Sequence, residues 1–374
     1  PVVAIGGALM APVTISPDGR YVVFVWRDSP GAQGETGVRL WDRETGETVA
    51  VATGGLWALP RFSTDGHRLL LQLGAPGSLF SEVRVLDVPT WLGAGATRVE
   101  LWAEVQVFGA GMSANGRRVF AAKRTGSRQY GLSVVEIGTV DPVLAVSWRV
   151  VSMLGSNSGG SRVLWYGPDV DGRGAGQAWV ADVATTNVQL ASVATDGISL
   201  ANQNAWLPTI SADGRYVAFA SRADNLVAGD ANGQKDVFLR DLKGATLLVS
   251  RTPAGAPASG HSTQPRFSPD SRTLFFLSHA SDLTAGDFNE ASDLFLVKIL
   301  SDGNGPLLVL QRNLSTGQVQ LLWNGTPGKS YRLDSREDLD TGSWEPAPGI
   351  VTEPFAVELD PVAARRFYRV VELP

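Results

Sequence analysis

Apolar runs of a few residues, rich in Val, Leu and Phe, recur along this chain, each directly after a small polar turn. The clearest copies are Ser16-Pro-Asp-Gly-Arg-Tyr-Val-Val-Phe24, Ser63-Thr-Asp-Gly-His-Arg-Leu-Leu-Leu71, Ser113-Ala-Asn-Gly-Arg-Arg-Val-Phe-Ala121, Ser211-Ala-Asp-Gly-Arg-Tyr-Val-Ala-Phe219 and Ser268-Pro-Asp-Ser-Arg-Thr-Leu-Phe-Phe276. A degenerate copy, Ser158-Gly-Gly-Ser-Arg-Val-Leu-Trp-Tyr166, fills the gap between the third and the last two, so that the starts lie 47, 50, 45, 53 and 57 residues apart. Asp-Gly supplies a tight turn, because glycine takes positive φ at little steric cost. The β-branched and aromatic residues that follow suit a buried strand.

Each unit then carries a second short strand: Val38–Asp42, Glu82–Asp87, Leu132–Glu136, Ala178–Asp182, Val237–Asp241 and Leu294–Lys298. Five of these end in an acid and the sixth in Lys298. A third apolar strand follows in five units: Thr48–Ala52, Arg98–Trp102, Val143–Ser147, Val188–Val193 and Ala245–Val249. With the strand before each turn, this predicts four strands per unit, the pattern of β-propeller blades. The last two units are the most alike: residues 211–241 match 268–298 at 14 of 31 positions.

The Ser-(Pro/Ala)-Asp-Gly-Arg-Tyr-Val-Ala-Phe pattern resembles the TolB-like β-propeller repeat, over residues 1–304. The resemblance implies a six-bladed propeller of the kind widespread in bacterial periplasmic and secreted proteins. Such propellers serve as binding platforms, as lids on serine peptidases and as a few lyases, so fold analogy does not choose a function. The sixth unit lacks an obvious outer strand. The apolar segment Val2–Ile5 is expected to supply it and close the ring, with Leu307–Leu310 as the alternative.

After Ser301-Asp-Gly-Asn-Gly-Pro306 the pattern changes to short alternating strands with Gly/Pro turns. The run from Trp323 through Trp344 to Val370 resembles a small β-sandwich module of secreted bacterial proteins. The expected organisation is all-β: a propeller over 1–304 and a β-sandwich over 305–374.

Composition narrows the chemistry. Cysteine is lacking, which removes thiol nucleophiles, disulfides and cysteine-held metals, and histidine occurs only at His67, His261 and His279. With 32 Lys+Arg against 37 Asp+Glu the net charge is −5, which gives no electrostatic footprint for nucleic acid. No apolar run approaches the ~20 residues of a membrane-spanning helix. The chain opens at Pro1 without an initiator Met and reads as a processed chain.

No nucleophile elbow is present; the nearest text, Ser156-Asn-Ser158-Gly-Gly160, has Ser where the motif needs its first Gly. His67 occupies a turn slot usually filled by Arg. His261 and His279 are expected from neighbouring units, too few for a catalytic metal site. The acidic loops are sharper. Asp230, Asn232, Gln234 and Asp236 in the fifth unit, and Asp287, Asn289 and Asp293 in the sixth, place oxygen side chains at alternating positions that suit calcium. An Asx-rich hairpin turn bonded to its own backbone is the alternative. Trp41, Trp165 and Trp179 fall in predicted strands. Trp57 and Trp206 fall near a propeller rim, where they would stack on a ligand or pack between blades.

By subtraction, the sequence reads as a non-enzymatic binding or scaffold protein, periplasmic or secreted, whose partner is another protein or a glycan; an accessory subunit of a larger assembly fits equally well. The alternative is a polysaccharide- or peptide-cleaving enzyme with its site at the channel mouth.

Overall fold

The computed structural model describes residues 8–9, 13–27, 36–53, 55–56, 60–74, 81–88, 98–105, 107–126, 129–139, 142–148, 152–168, 174–252, 254–283, 291–299, 308–313, 319–323, 330–336, 343–351, 356–359 and 367–373. Every regular element named among them is a β-strand. The first sheet holds β1 (Ala8–Leu9), β2 (Thr14–Ile15), β3 (Tyr21–Arg27), β4 (Thr36–Asp42) and β5 (Thr48–Thr53), with β1 and β2 both paired to β3. The second repeats this plan with β6 (Gly55–Leu56), β7 (Arg61–Phe62), β8 (Arg68–Gly74), β9 (Ser81–Asp87) and β10 (Arg98–Val105). Three four-stranded meanders follow: β11 (Val107–Met112) to β14 (Pro142–Trp148) through β12 (Arg118–Gly126) and β13 (Gln129–Glu136); β15 (Ser152–Ser156) to β18 (Val188–Leu190) through β16 (Arg162–Gly167) and β17 (Gln177–Asp182); and β19 (Ala205–Ile210) to β22 (Thr246–Leu248) through β20 (Tyr216–Ser221) and β21 (Asp236–Asp241).

The sixth sheet runs β23 (Ser262–Phe267), β24 (Thr273–Ser278), β25 (Asp293–Ile299), β26 (Leu308–Asn313), β27 (Val319–Trp323), and ends on β30 (Ala356–Leu359). The strand beside β25 is thus β26, paired from Phe295↔Asn313 to Ile299↔Val309. That is the alternative closing strand of the sequence reading; Val2–Ile5 lies outside the described residues. Strands β28 (Tyr331–Arg336), β29 (Glu345–Val351) and β31 (Phe367–Glu372) form a separate three-stranded sheet.

The chain divides into two compact units, residues 1–173 with 180–188, and residues 174–179 with 189–374. In the first, Tyr21, Val23, Leu40, Leu69, Leu71 and Leu86 pack one core, and Leu70, Val83, Val119 and Ala121 another. In the second, Tyr216, Ala218, Val237 and Leu239 of the fifth sheet join Leu274, Phe276, Phe295 and Val297 of the sixth in one core. The repeat shows in the rings: Phe219 stacks on Phe238 at 5.7 Å, and their repeat equivalents Phe276 and Phe295 stack at 5.3 Å.

The turns explain why the sequence repeats as it does. In five units a Ser hydroxyl accepts the backbone N–H five residues on: Tyr21 to Ser16, Arg68 to Ser63, Arg118 to Ser113, Tyr216 to Ser211 and Thr273 to Ser268. The same hydroxyls donate to Asp18, Asp65, Asn115, Asp213 and Asp270, two residues on. In the degenerate fourth unit the carbonyl of Asn157 receives the Arg162 N–H at 2.9 Å. The turn therefore starts at Asn157, one residue before the Ser158 expected from sequence. The acids at the second strand's end pair with a turn arginine, as Arg20–Asp42 at 2.8 Å and Arg215–Asp241 at 2.6 Å. Adjacent turns also bond to each other: Thr64 N–H donates to Ala114 O at 2.7 Å and Asn115 N–H to Ser158 O at 3.2 Å.

Gly19, Gly66, Gly116, Gly160 and Gly214 all sit at φ between 66° and 79° at the turn's fourth position. The last unit has Ser271 there, at φ 63°. Its hydroxyl accepts the Asp213 backbone N–H of the neighbouring turn at 2.8 Å, which offsets the strain of a side chain in the left-handed region. Ser271→Ala keeps the strain and loses the bond, so urea unfolding is expected to show a loss of about 1–2 kcal/mol. Ser271→Gly loses the bond but also the strain, and is expected within about 1 kcal/mol of the parent. Equal midpoints for the parent and the alanine variant would refute this coupling.

Candidate functional site

In the second unit, two neighbouring sheets end together. Strand β20 stops at Ser221, opposite Asp236 at the start of β21, and β24 stops at Ser278, opposite Ser262 at the start of β23. Strand β23 packs against β19, β20 and β21. The residues that flank these ends are Arg222 after β20, Lys235 before β21, His261 before β23 and His279 after β24.

His261 is the meeting point. Its Nδ1 accepts the Lys235 backbone N–H at 3.1 Å, and its Nε2 lies 3.2 Å from an Arg222 guanidinium nitrogen. The Lys235 carbonyl in turn accepts the Ser262 N–H at 2.6 Å, and the His261 carbonyl accepts the His279 N–H at 2.9 Å. The two histidines thus face each other across adjacent strands of one sheet, where the sequence reading had placed them in neighbouring units. The Lys235 ammonium sits 4.5 Å from the centre of the half-buried Trp206 ring, a cation–π contact. Partial burial, then the charges of Arg222, Lys235 and His279, hold the His261 pKa below that of a free imidazole. Neutral imidazole is therefore the dominant form at pH 7.

Gly260 sets this geometry. A Cβ there would fall 2.8 Å from the Ala280 backbone and from the His279 carbonyl carbon, so only glycine allows the His261 strand to approach. The edge strands β19 and β23 are both bulged, between Trp206 and Thr209 and between Thr263 and Arg266. Within the bulges Leu207 and Gln264 take φ of 50° and 55°, each directly before a proline, Pro208 or Pro265. Such strain in non-glycine residues persists only where surrounding structure imposes it.

The acidic loop 230–236 lies beside this face, and its oxygens are engaged by the chain itself. The buried Asp236 accepts from the Ser250 hydroxyl at 2.6 Å and from the Asn232 amide at 2.8 Å. The Asn232 amide also donates to Ala258 O, and its carbonyl accepts the Gln234 N–H. These are the bonds of an Asx-rich turn. The Asp236–Ser250 contact has a counterpart in the preceding repeat, where the Ser192 hydroxyl donates to the Gln177 carbonyl at 2.6 Å. Asp293 is buried at the start of β25, opposite Ser278. Asp287, Asn289 and Trp57 lie outside the described residues. Among the described residues no group of three or more His, Asp or Glu side chains is placed to hold a metal ion. His67 is an exposed turn residue whose N–H is bonded to Asp65.

Arg222 and Lys235 went unnoticed in the sequence. A signal was there for Arg222: it occupies the slot, 57 residues earlier, that His279 fills in the sixth unit. Basic character is kept while the residue changes.

Two predictions follow from this geometry. Burial raises the carboxyl pKa of Asp236 to about 7 and of Asp230 to about 6. Both exceed the unfolded value of 3.8, so the native state binds more protons, and stability is full below pH 4 and falls as pH rises through 7. Asp236→Asn keeps both partners, because the Ser250 hydroxyl can donate or accept. Thermal melts of this variant are expected to gain stability at pH 8 and to retain only the shallower slope of Asp230; an unaltered slope would contradict it. Gly260→Ala is expected to cost about 1–3 kcal/mol through backbone overlap, read by denaturant unfolding, and to shift the His261 ring resonances in an NMR spectrum.

Comparison with known proteins supports the fold. No protein-family model matches this chain, and no curated protein does. Among solved structures, it is similar to the β-propeller domain of the Trilobed protease from Pyrococcus furiosus, at 10% identity and a TM-score of 0.50, covering 86% of this chain and 96% of that one. It is also similar to a eukaryotic initiation factor at 13% identity and a TM-score of 0.50, covering 94% of this chain and 81% of that one. An acylaminoacyl peptidase matches at 11% identity and a TM-score of 0.48, covering 85% of this chain but only 51% of the peptidase. The expectation of a non-enzymatic chain is corrected here. It rested on subtraction, and the solved structures that share the fold include the propeller domain of a protease. At these identities the likeness carries the fold alone: this chain is all-β, and its fold is that of a β-propeller.

Proposed function

We propose that this chain is an enzyme that acts on a polysaccharide or a peptide, built on a six-bladed, TolB-like propeller of the bacterial periplasm or exterior. The blade count is supported by six successive sheets, each of which carries one of the six repeated turns between the strand before it and the strand after it. The separate β29-β28-β31 sheet is read as part of the C-terminal accessory module. The observation that carries the functional reading is the convergence of Arg222, Lys235, His261 and His279, beside Trp206, where two sheets end together.

The arrangement suits stabilisation of negative charge. A neutral imidazole whose Nδ1 accepts a backbone N–H has its N–H at Nε2, and that donor and the cationic side chains around it stabilise negative charge that develops on a substrate. Ser158, the nearest approach to a nucleophile elbow, lies in the turn that begins at Asn157, bonded through its carbonyl to Asn115. It is a turn residue. His261 and Arg222 are accordingly assigned as the groups that stabilise the charge developing on the substrate.

The test is turnover by the full chain on a panel of polysaccharides and peptides, scored by new chain ends. His261→Ala is expected to lower the rate by about 10²–10³-fold while the melting temperature is kept. A rate independent of His261, or no turnover on any member of the panel, would overturn the proposal.

A further inference from the structure

The His261 ring meets two donors. Its Nδ1 accepts the Lys235 backbone N–H, and the Lys235 carbonyl is itself bonded to the Ser262 N–H, which pins this stretch of backbone. A neutral imidazole has one acceptor nitrogen and one N–H, so the N–H is at Nε2. An Arg222 guanidinium nitrogen lies 3.2 Å from that Nε2, donor against donor. His279 stands opposite His261, its N–H on the His261 carbonyl at 2.9 Å, and directly opposite residues of an antiparallel pair project to one side. Arg222 after β20, His261 before β23 and His279 after β24 are all exposed, so three segments bring basic side chains to one patch.

Neighbouring carboxylates are committed elsewhere. Asp236 holds Ser250 and Asn232, Asp224 accepts from the Asn202 amide, Asp282 accepts the Ser259 N–H, and the buried Asp230 lies in the field of Arg251. The charges that act on His261 are those of Arg222, Lys235 and His279, all basic, so protonating the ring without a counter-ion sharpens the repulsion. Lys235 adds charge but is not itself a ligand here, because its ammonium is held 4.5 Å above the centre of the Trp206 ring.

An oxyanion seated between Arg222 and His261 accepts from both and removes the opposition. A planar carboxylate spends its two oxygens on that pair. A tetrahedral oxyanion keeps further oxygens for His279, and its second negative charge suits a patch built of basic groups. We infer that Arg222, His261 and His279 form a binding site for a tetrahedral oxyanion, a phosphate or sulfate, taken as the free ion or as an ester. The bound dianion favours protonation of His261, so binding takes up a proton and tightens as pH falls. The inference goes beyond the enzymatic reading, because it states what the patch holds with or without turnover.

Calorimetry on the full chain at constant ionic strength decides it, with inorganic sulfate, inorganic phosphate and acetate as probes. Sulfate stays a dianion throughout, so any pH dependence of its affinity belongs to the protein. Sulfate and phosphate are expected to bind about tenfold or more tightly than acetate, and sulfate to tighten severalfold between about pH 8 and pH 6. Sulfate should also shift the His261 ring nitrogens of the parent saturably in an NMR spectrum. Arg222→Met is expected to weaken sulfate about tenfold with an unchanged melting temperature, Arg222→Lys to keep part of the affinity, and His261→Ala to flatten the pH dependence. A hexose sulfate and a hexose phosphate separate the sources: tighter binding than the free ions assigns the site to an ester, equal or weaker binding to the free ion. Acetate as tight as sulfate, a pH-independent sulfate affinity, full sulfate affinity in Arg222→Met, or no saturable shift at His261 would each overturn the inference. Sulfate binding in a chain that turns over no substrate spares it and overturns the enzymatic reading; turnover without oxyanion binding does the reverse.

Discussion

The fold depends on a polar side chain at the head of each turn, a buried hydroxyl in four of the six units. Ser16, Ser63, Ser113 and Ser211 are almost fully buried, and a buried hydroxyl is costly unless its bonds are made. Each makes them locally, taking the N–H that starts the next strand and giving its proton to the Asp or Asn two residues on. The turn is thereby closed before any distant contact forms. Asn157 replaces the serine with a carbonyl that serves the same N–H, and Ser271 replaces the glycine with a side chain that reaches the neighbouring turn. Both exceptions keep the hydrogen bonds and change the residue.

Conserved geometry at the turn end of each sheet leaves the opposite end free to vary. There the fifth and sixth sheets share strand ends, bulges and pre-proline strain, while the residues that project differ: Arg222 against His279, Asn204 against His261. A repeat protein can thus assemble a functional group set from loops that are equivalent in backbone and different in chemistry. Counting histidines or searching for one contiguous motif overlooks this, because the set is spread over 206–279.

The two kinds of charge on this face are treated differently. Asp230 and Asp236 are buried, bonded within the chain, and held toward their neutral forms. Arg222 and the histidines stay exposed. Burial removes negative charge from the interior side, and the exposed side keeps its positive charge, so the face can attract an anion although the chain as a whole is acidic.

Period and turn chemistry are local, and they were legible. Six turns, the strands after them and the all-β class follow from Asp-Gly spacing and β-branched runs, because a turn is set by a few consecutive residues. The neighbourhood of Trp206 was legible as a rim position, but not the cation above its ring. The pairing of β25 with β26 was visible only as an alternative, since strand pairing is settled by which apolar edge finds a partner. The acidic loop drew attention by its spacing, yet only the structure shows that the Asn232 amide faces Asp236 and that its carbonyl is bonded to Gln234. Above all, the approach of Arg222, Lys235 and His279 to His261 joins residues up to 57 positions apart. It is decided by two sheets packing through one core and by a glycine, Gly260, that lets two backbones touch, and neither leaves a contiguous signature in the chain.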